Sequence, residues 1–376
     1  MIFLGAGASK PFGIKTLEEM SNDLVKIMRD HQYGEIVDKI FENLQKFGIT
    51  PDFEAIYTIV DGLTNLRQAV KNAGPLTAYV CRDLEQLSTK LDLRELPKLF
   101  RDFLYEKCKL KPDCIDYMES TFDKLFEITK KSNAHDQRIV PGEKHIAKPS
   151  LDLDYTIVTT NYDMTIELYH RKKKQPLADG FSQTEDPLIK KMDLATYTLA
   201  RQRWLVKLHG SIWQYKYENS IFKTNEDPKN ITIPVKIQEK MMIYPTGEKP
   251  ILKYPYYNFY NIFKMQRWNK LIAIGYSFRD EPVNIAILEN LEKTPNSNLI
   301  VINPDPEQVI QNLVGSTLPE IDDRIIPVEG RFGDEDVFLK LEVALKVANK
   351  ERYFKRLLDL RQETQEKKAQ ARMQGK

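Results

Sequence analysis

The sequence predicts an α/β fold, in which an open parallel sheet carries a large helical insert and a C-terminal helix. Four short apolar runs are each followed by a loop rich in glycine, serine, asparagine or aspartate, as at the carboxyl ends of parallel strands. A long stretch between the first two runs has the apolar spacing of helices. At 376 residues the chain exceeds a typical single domain, which favours one large α/β domain with added helical parts.

The four predicted strands and their loops lie far apart in the sequence. The apolar runs are Ile2–Leu4, Tyr155–Val158, Trp204–Val206 and Leu271–Ile274. The loops that follow them are Gly5–Ser9, Thr159–Asp163, Lys207–Ser211 and Gly275–Asp280. Because ligands bind at the carboxyl edge of an open α/β sheet, these four loops are predicted to form one pocket.

The segment between the first two strands is predicted to be mostly helical. The first helix begins near Thr16, because Glu18 and Glu19 follow in its first turn. Helical spacing then continues to about residue 126, with apolar positions at Leu24, Ile27, Met28, Ile36, Ile40, Leu44, Leu84, Leu87 and Leu91. Residues 130–150 are polar and basic and contain Pro141-Gly142, which predicts a mobile surface loop. Residues 23–150 are therefore predicted to be a helical insert with a basic loop.

The second half of the chain is predicted to add a β excursion, a last strand and a final helix. Alternating apolar residues indicate the excursion, namely Tyr215, Tyr217, Phe222, Ile231, Ile233 and Val235. The aromatic tract at 254–260 leads into helical spacing, and a core or subunit contact is favoured over base stacking. A strand at Leu299–Ile302 ends in Asn303. The α/β domain is thus predicted to comprise residues 1–22 and 151–335, followed by a C-terminal helix and polar tail at 336–376.

Composition and charge exclude several classes of protein. The 56 basic and 54 acidic residues leave a net charge of +2, which provides no global attraction to nucleic acid or to anionic membranes. The three cysteines form no CxxC pair and cannot supply a four-thiolate zinc site, so a reducing cytoplasm is indicated. No apolar run approaches the roughly 20 residues that span a bilayer. The chain is predicted to be soluble, and whether its N-terminus is complete stays open.

The glycine loop after the first strand is suited to binding phosphate. Gly5-x-Gly7-x-Ser9 before a helix would offer backbone amides and a positive dipole end to a pyrophosphate. Lys10 stands where GxGxxG has its third glycine, which disfavours an ordinary dehydrogenase site. The alternative is a glycine turn that is needed only for packing.

Two further loops supply candidate catalytic side chains. Asn161 and Asp163 are two residues apart, so an extended backbone would point both into the pocket, where they could hold a ribose diol and position a water. The alternative for this pair is an Asx turn that closes the strand. His209 is the best candidate for a general base, although a structural histidine is the alternative. The other histidines, in helical or basic surface context, rank lower: His31, His135, His145 and His170.

Taken in order, the sequences GAGAS, TTNYD, KLHGS, GYSFRD and VINPD resemble those of the sirtuins. They resemble more closely the sirtuin-like NAD hydrolases of prokaryotic antiviral defence, such as the Thoeris effector and the partners of HerA-type ATPases. The resemblance covers residues 1–22 and 151–305, and it implies a Rossmann-like sheet with NAD+ as substrate. It makes Asn161 and His209 catalytic and Asp163 a contact of the nicotinamide ribose. The other residues that it assigns to NAD+ binding are Gly5, Ala6, Gly7, Ser9, Gly275, Ser277 and Asn303.

The activity that this resemblance implies is NAD+ glycohydrolysis, which would yield nicotinamide and linear or cyclic ADP-ribose. It further implies a defence effector that depletes NAD+, a homo-oligomer, and a HerA-type ATPase or another defence protein as candidate partner. The zinc-binding cysteine pairs of sirtuin deacetylases are absent, so no metal is expected and protein deacylation is disfavoured. Two other classes stay open: a nucleotide sensor with blocked chemistry, and a nucleic-acid-acting subunit that uses Arg171–Lys174 and the basic loop. Without interleaved aromatics, those basic runs indicate solvated surface.

Overall fold

The computed structural model describes residues 1–64, 95–138, 155–199, 203–217, 219–227, 239–244, 251–294, 296–315 and 322–349. Its strands are β1 (Ile2–Leu4), β2 (Thr156–Thr159), β3 (Leu177–Ala178), β4 (Phe181–Gln183), β5 (Ile189–Met192), β6 (Arg203–Lys207), β7 (Gly210–Tyr217), β8 (Ser220–Thr224), β9 (Glu239–Met242), β10 (Lys270–Ile274), β11 (Asn298–Asn303) and β12 (Ile325–Glu329). Among these residues, seven strands form a parallel sheet and five form an antiparallel sheet.

The parallel sheet is wound outwards in both directions from β1. Its strand order is β12-β11-β10-β1-β2-β6-β3, so the chain first builds towards β6 and then returns to β10 on the other side of β1. The direction of winding therefore reverses between β1 and β10, and the crevice at such a switch point is where doubly wound sheets bind ligands. The predicted α/β fold with a Rossmann-like parallel sheet is confirmed.

The antiparallel sheet has the order β4-β5-β8-β7-β9. Its strands β4 and β5 precede β6 along the chain, and β7 follows β6 through the turn at His209. The alternation at Tyr215 and Phe222 corresponds to β7 and β8, which pair directly. The short strands β4, β5 and β9 carry no comparable alternation and were not predicted. Ile231, Ile233 and Val235 lie outside the described residues.

The helices of residues 17–126, 256–265 and 335–349 lie in segments with the predicted helical spacing, whereas those of residues 165–172, 196–199, 281–293 and 306–314 were not predicted. They are α1 (Leu17–Arg29), α2 (Gly34–Lys46), α3 (Phe53–Thr64), α4 (Glu95–Lys107), α5 (Ile115–Arg138), α6 (Thr165–Lys172), α7 (Thr196–Leu199), α8 (Tyr256–Met265), α9 (Glu281–Lys293), α10 (Pro306–Val314) and α11 over 335–349. A capping box starts α1: the Thr16 hydroxyl accepts from the Glu19 amide, and the Glu19 carboxylate accepts from the Thr16 amide. Among the helices of these ranges, none is long and apolar enough to cross a lipid bilayer.

Alternate residues of each strand face opposite layers of helices. Ile2 and Leu4 of β1 belong to the core that includes α5 and α11, whereas Phe3 belongs to the core that includes α8 and α9. The rings of Phe3 and Phe263 lie 5.8 Å apart between their centroids, which joins β1 to α8. The aromatic tract contributes Tyr256, Phe259 and Tyr260 to the same core, which is one of the two predicted roles.

The helices of the predicted insert, residues 23–150, fall into two groups that pack in different cores. The boundary at residues 22 and 23 falls inside α1, and α5 packs against the parallel sheet through Phe122 and Phe126. Helices α1 to α4 instead share a separate core. The prediction of a loop at 130–150 is wrong as far as Arg138, because α5 continues to that residue. Residues 139–154 and the predicted tail beyond residue 349 lie outside the described residues.

His170 on α6 is buried rather than at the surface. Its Nδ1 lies 2.8 Å from the Ile166 carbonyl oxygen, and its Nε2 lies 2.9 Å from the Tyr155 hydroxyl. The carbonyl can only accept, so Nδ1 carries the proton and Nε2 accepts from Tyr155. Burial is the largest cause that lowers the pKa of His170, from its usual 6.5 to about 4. This histidine is therefore neutral in the folded protein and serves the packing of α6.

The pKa of His170 predicts a loss of stability in acid. Because the folded-state pKa lies below the unfolded one, protonation favours unfolding. The stabilisation is complete above pH 6.5 and is lost as the pH falls towards 4. Its upper limit is about 3 kcal/mol. Urea denaturation across this range should show a smaller loss for His170→Gln than for wild type, while His31→Gln, at an exposed position, should follow wild type. An unchanged pH profile in His170→Gln would contradict the prediction.

Candidate functional site

The four predicted loops start from one row of the parallel sheet. Leu4 of β1 is aligned with Thr159 of β2 and with Ile274 of β10. Thr159 is in turn aligned with Lys207 of β6, and Ile274 with Ile302 of β11. The residues that follow these positions therefore leave the sheet side by side at its carboxyl edge, around the switch point between β1 and β10.

The two glycine loops pack backbone against backbone. The Gly5 amide donates to the Ile274 carbonyl and the Gly7 amide to the Gly275 carbonyl, each at 2.9 Å. A Cβ atom added to Gly5 would lie 2.5 Å from the Gly275 carbonyl oxygen, and one added to Gly275 would lie 2.5 Å from the Ala8 nitrogen. The close approach of the loops thus requires these glycines, as the packing alternative proposed.

Most backbone amides of the first glycine loop donate hydrogen bonds to other groups of the protein. Besides Gly5 and Gly7, Ala8 donates to the Gly5 carbonyl and Ser9 to the Ala6 carbonyl. Within the described residues, only the Ala6 amide of this loop makes no hydrogen bond, and Ala6 is exposed. One 3-10 turn, Ala6–Ala8, lies within the loop and a second, Lys10–Phe12, follows it. The expected α-helix dipole is therefore not next to the loop, because α1 begins only at Leu17. Phosphate binding here stays a prediction that depends on the Ala6 amide.

Asn161 is held by hydrogen bonds to the glycine loop. Its Nδ2 donates to the Gly5 carbonyl at 2.8 Å and to the Ser9 hydroxyl at 2.9 Å. Its backbone amide donates to the Thr159 hydroxyl, which in turn donates to the Leu4 carbonyl. Both protons of the side-chain amide are therefore engaged, and Oδ1 accepts no hydrogen bond from the described residues. The half-buried side chain is oriented with that oxygen as its available acceptor.

Asp163 lies beneath Asn161 and supports it. Its Oδ2 accepts from the Ser9 hydroxyl at 2.7 Å, and its Oδ1 accepts from the amide and the hydroxyl of Thr165. The carboxylate is 4% exposed and thus saturated by protein donors. The Asx turn considered for this loop is present at Asp163, where it starts α6. Contact between Asp163 and a ribose stays a prediction, since this arrangement uses the carboxylate to position Ser9 and Asn161.

His209 follows β6 and lies beside an acidic side chain that sequence reasoning did not single out. Its Nε2 is 3.8 Å from Oδ2 of Asp280, and both residues are buried. The Tyr276 hydroxyl donates to the same carboxylate at 3.3 Å. The ring of Tyr162 lies 6.3 Å from the imidazole between centroids. The motif GYSFRD contained the signal for Asp280, an acidic residue in a loop at the same sheet edge as the histidine.

The remaining predicted residues lie beyond β10, on the side away from Asn161. Ser277 accepts a hydrogen bond from Asn312 through its carbonyl, and its hydroxyl makes none within the described residues. The side-chain oxygen of Asn303 accepts from the Asp305 amide at 3.0 Å, in an Asx turn before α10. The structure therefore brings both to the predicted edge, with the Ser277 hydroxyl available to a ligand.

Two lysines of the basic run at 171–174 are paired with acidic side chains of α5. Lys172 lies 2.5 Å from Asp116 and 2.6 Å from Glu119, and Lys173 lies 2.6 Å from both Glu119 and Asp123. A nucleic-acid site needs cations that can neutralise phosphates, whereas these two are already neutralised. This pairing favours the interpretation of the run as structural surface.

A metal site is not evident in the described ranges, where no three histidine, cysteine or acidic side chains are grouped to hold an ion. Cys108 is buried in the core of α1 to α4, and burial raises the pKa of its thiol. Cys81 lies outside the described residues.

Comparison with known proteins finds a family match for part of this chain. Residues 155–317 match the family model described as a SIR2-like domain. No curated protein matches the sequence. The chain is similar to a solved structure described as a SIR2 homolog–NAD complex, with 14% sequence identity and a TM-score of 0.39 over 93% of this chain and 90% of that one. The matched residues include TTNYD, KLHGS, GYSFRD and VINPD. The segment that matches the SIR2-like model bears the Asn161 and His209 loops, at the carboxyl edge of the parallel sheet.

Proposed function

We propose that this protein cleaves NAD+ at the nicotinamide–ribose bond, giving nicotinamide and ADP-ribose. The observation that carries the proposal is a chain of hydrogen bonds in which Asn161 donates to Ser9 and Ser9 donates to Asp163. The pair of His209 and Asp280 lies at the same edge of the sheet. The SIR2-like match and the order of the sequence motifs support NAD+ as the substrate.

The chemistry needs little beyond what these side chains offer. Nicotinamide leaves NAD+ as a neutral molecule, so the glycosidic bond breaks without a strong general acid, and the site must stabilise an oxocarbenium-like transition state. Water adds to the ribose C1′ and loses one proton. Oδ1 of Asn161 can accept from that water or from a ribose hydroxyl. His209 can take the proton, and the Asp280 carboxylate stabilises the imidazolium that forms.

Product analysis tests this proposal directly. Purified protein incubated with NAD+ should release nicotinamide and ADP-ribose in equal amounts, as resolved by chromatography. A chelator should leave the rate unchanged, and an acetylated peptide should neither lose its acetyl group nor accelerate nicotinamide release. Binding of NAD+ without turnover would assign a sensor instead. Loss of the acetyl group that depends on NAD+ would assign a deacylase.

The resemblance of the motifs to those of defence-associated NAD hydrolases also supports a proposal about the biological role. We propose that NAD+ cleavage serves antiviral defence, in a homo-oligomer held inactive until a partner such as a HerA-type ATPase or an infection signal acts. Light scattering and turnover at low concentration test this part. A monomer that is fully active alone would contradict it.

Asp280→Asn is expected to lower kcat about tenfold or more, because the carboxylate that orients His209 and balances its positive charge is lost. The side chain makes no capping hydrogen bond to α9, so the fold should persist. Asp305→Asn is the matched control, since it changes the residue at the start of α10 without a contact to His209. Steady-state rates of nicotinamide release measure both. Equal rates in the two variants would contradict a role for Asp280.

A further inference from the structure

A buried network of four charges adjoins the loop that carries Asn161. Lys207 lies 3.3 Å from Oε1 of Glu167, and Lys223 lies 3.0 Å from the same oxygen. Lys223 also lies 2.6 Å from Oδ2 of Asp179. All four side chains are less than a tenth exposed. Two cations and two anions thus compensate one another away from water.

Removing any one of these charges would destabilise the protein, because a buried charge without its partner is energetically costly. Burial alone would raise the pKa of Glu167, but the two ammonium groups lower it to about 2. The carboxylate therefore stays ionised and holds both lysines in place.

The two lysines differ in one contact that concerns the site. Nζ of Lys207 donates a hydrogen bond to the main-chain carbonyl of Asp163, at the end of the loop after β2. The side chain of Asp163 holds Ser9, and Ser9 holds Asn161. Within the described residues, the Lys223 ammonium contacts Glu167, Asp179 and the ring of Phe181, and it reaches no residue of that loop.

We propose that Lys207 is a positioning residue for the cleavage of NAD+. It ties the end of β6 to the loop at 160–164, so that the amide oxygen of Asn161 is presented in one orientation. This inference rests on the proposed function, but the restraint on the loop can be measured without any turnover.

Two charge-balanced double variants test whether Lys207 positions the loop or is only a member of the buried charge network. Lys207→Met with Glu167→Gln leaves the pair of Lys223 and Asp179 intact. Lys223→Met with Asp179→Asn leaves the pair of Lys207 and Glu167 intact. Each variant replaces one buried lysine by a side chain of similar length and neutralises one partner, so neither leaves an unpaired charge. Circular dichroism and thermal unfolding establish that both are folded.

The first readout is hydrogen exchange of the amides of Asn161 and Thr165, which donate to the Thr159 hydroxyl and to the Asp163 carboxylate. In the Lys207 variant both amides should exchange about tenfold faster or more than in the Lys223 variant. The second readout is kcat, which should fall about tenfold or more in the Lys207 variant with KM nearly unchanged, since misplaced groups slow the chemical step. The Lys223 variant should keep wild-type kcat.

The outcomes distinguish the two proposals. If wild-type protein releases no nicotinamide, the proposed function fails, while the exchange rates still decide whether Lys207 restrains the loop. Equal exchange in the two variants would overturn the inference and leave Lys207 as one member of a structural network. Faster exchange with unchanged kcat would overturn its role in the reaction.

Discussion

Replacing His209 by alanine is expected to lower kcat for nicotinamide release by about a hundredfold or more, because the group that accepts the proton is removed. The imidazole lies past the end of β6, at the edge of the sheet rather than between sheet and helices, so the variant should stay folded. Asn161→Ala is expected to cause a comparable loss, since it removes the oriented acceptor. Chromatographic rates and thermal unfolding of the same samples measure both effects.

His170 provides the matched control for His209. It is also buried, but its ring nitrogens contact, among the described residues, only the Ile166 carbonyl and the Tyr155 hydroxyl. His170→Ala should therefore lower stability by about 1–3 kcal/mol, through the lost hydrogen bonds, and keep kcat near that of wild type. If His209→Ala retained near wild-type turnover, or if His170→Ala lost as much activity while folded, the general-base assignment would be wrong.

Gly275→Ala is expected to lower the free energy of unfolding by about 3 kcal/mol. Two costs contribute. The backbone of Gly275 has φ +59, which is strained for any side chain, and the new Cβ would lie 2.5 Å from backbone atoms of Gly7 and Ala8. Because those atoms belong to backbone, they can give way only if the loop after β1 moves. Urea denaturation at neutral pH measures the change.

Gly48→Ala separates the two costs. Gly48 has φ +69, so it carries similar backbone strain, but a Cβ there meets nothing within 4 Å. Its loss should be limited to about 1 kcal/mol. Equal destabilisation of the two variants would show that the contact between the glycine loops does not restrict residue 275. A larger loss at Gly275, together with slower NAD+ cleavage, would support a site that depends on this close packing.

The strands of the parallel sheet were largely predictable because their signal is local. A buried strand needs only a few consecutive apolar residues with turn residues after them, as at Ile2–Leu4 and Leu271–Ile274. The switch from helical spacing to such runs is equally local, and the start of α1 followed from Thr16 and its acidic first turn. The strands that escaped prediction, such as β4 and β9, are short and lack this pattern.

The fold class, the candidate site residues and the sheet edge on which they lie could be predicted from the sequence, since each of these predictions depends on neighbours along the chain. Which polar atoms remain available at that edge depends on contacts between residues that are far apart in the sequence. Ser9 and Asp163 are 154 residues apart, and their hydrogen bond exists only because β1 and β2 are adjacent in the sheet. The adjacency of β1 and β10 lets the amides of Gly5 and Gly7 donate to the Ile274 and Gly275 carbonyls, and the return of the chain to β10 brings Asp280 to His209. Strand order is set by the packing of the whole domain, so no local pattern can specify such pairs.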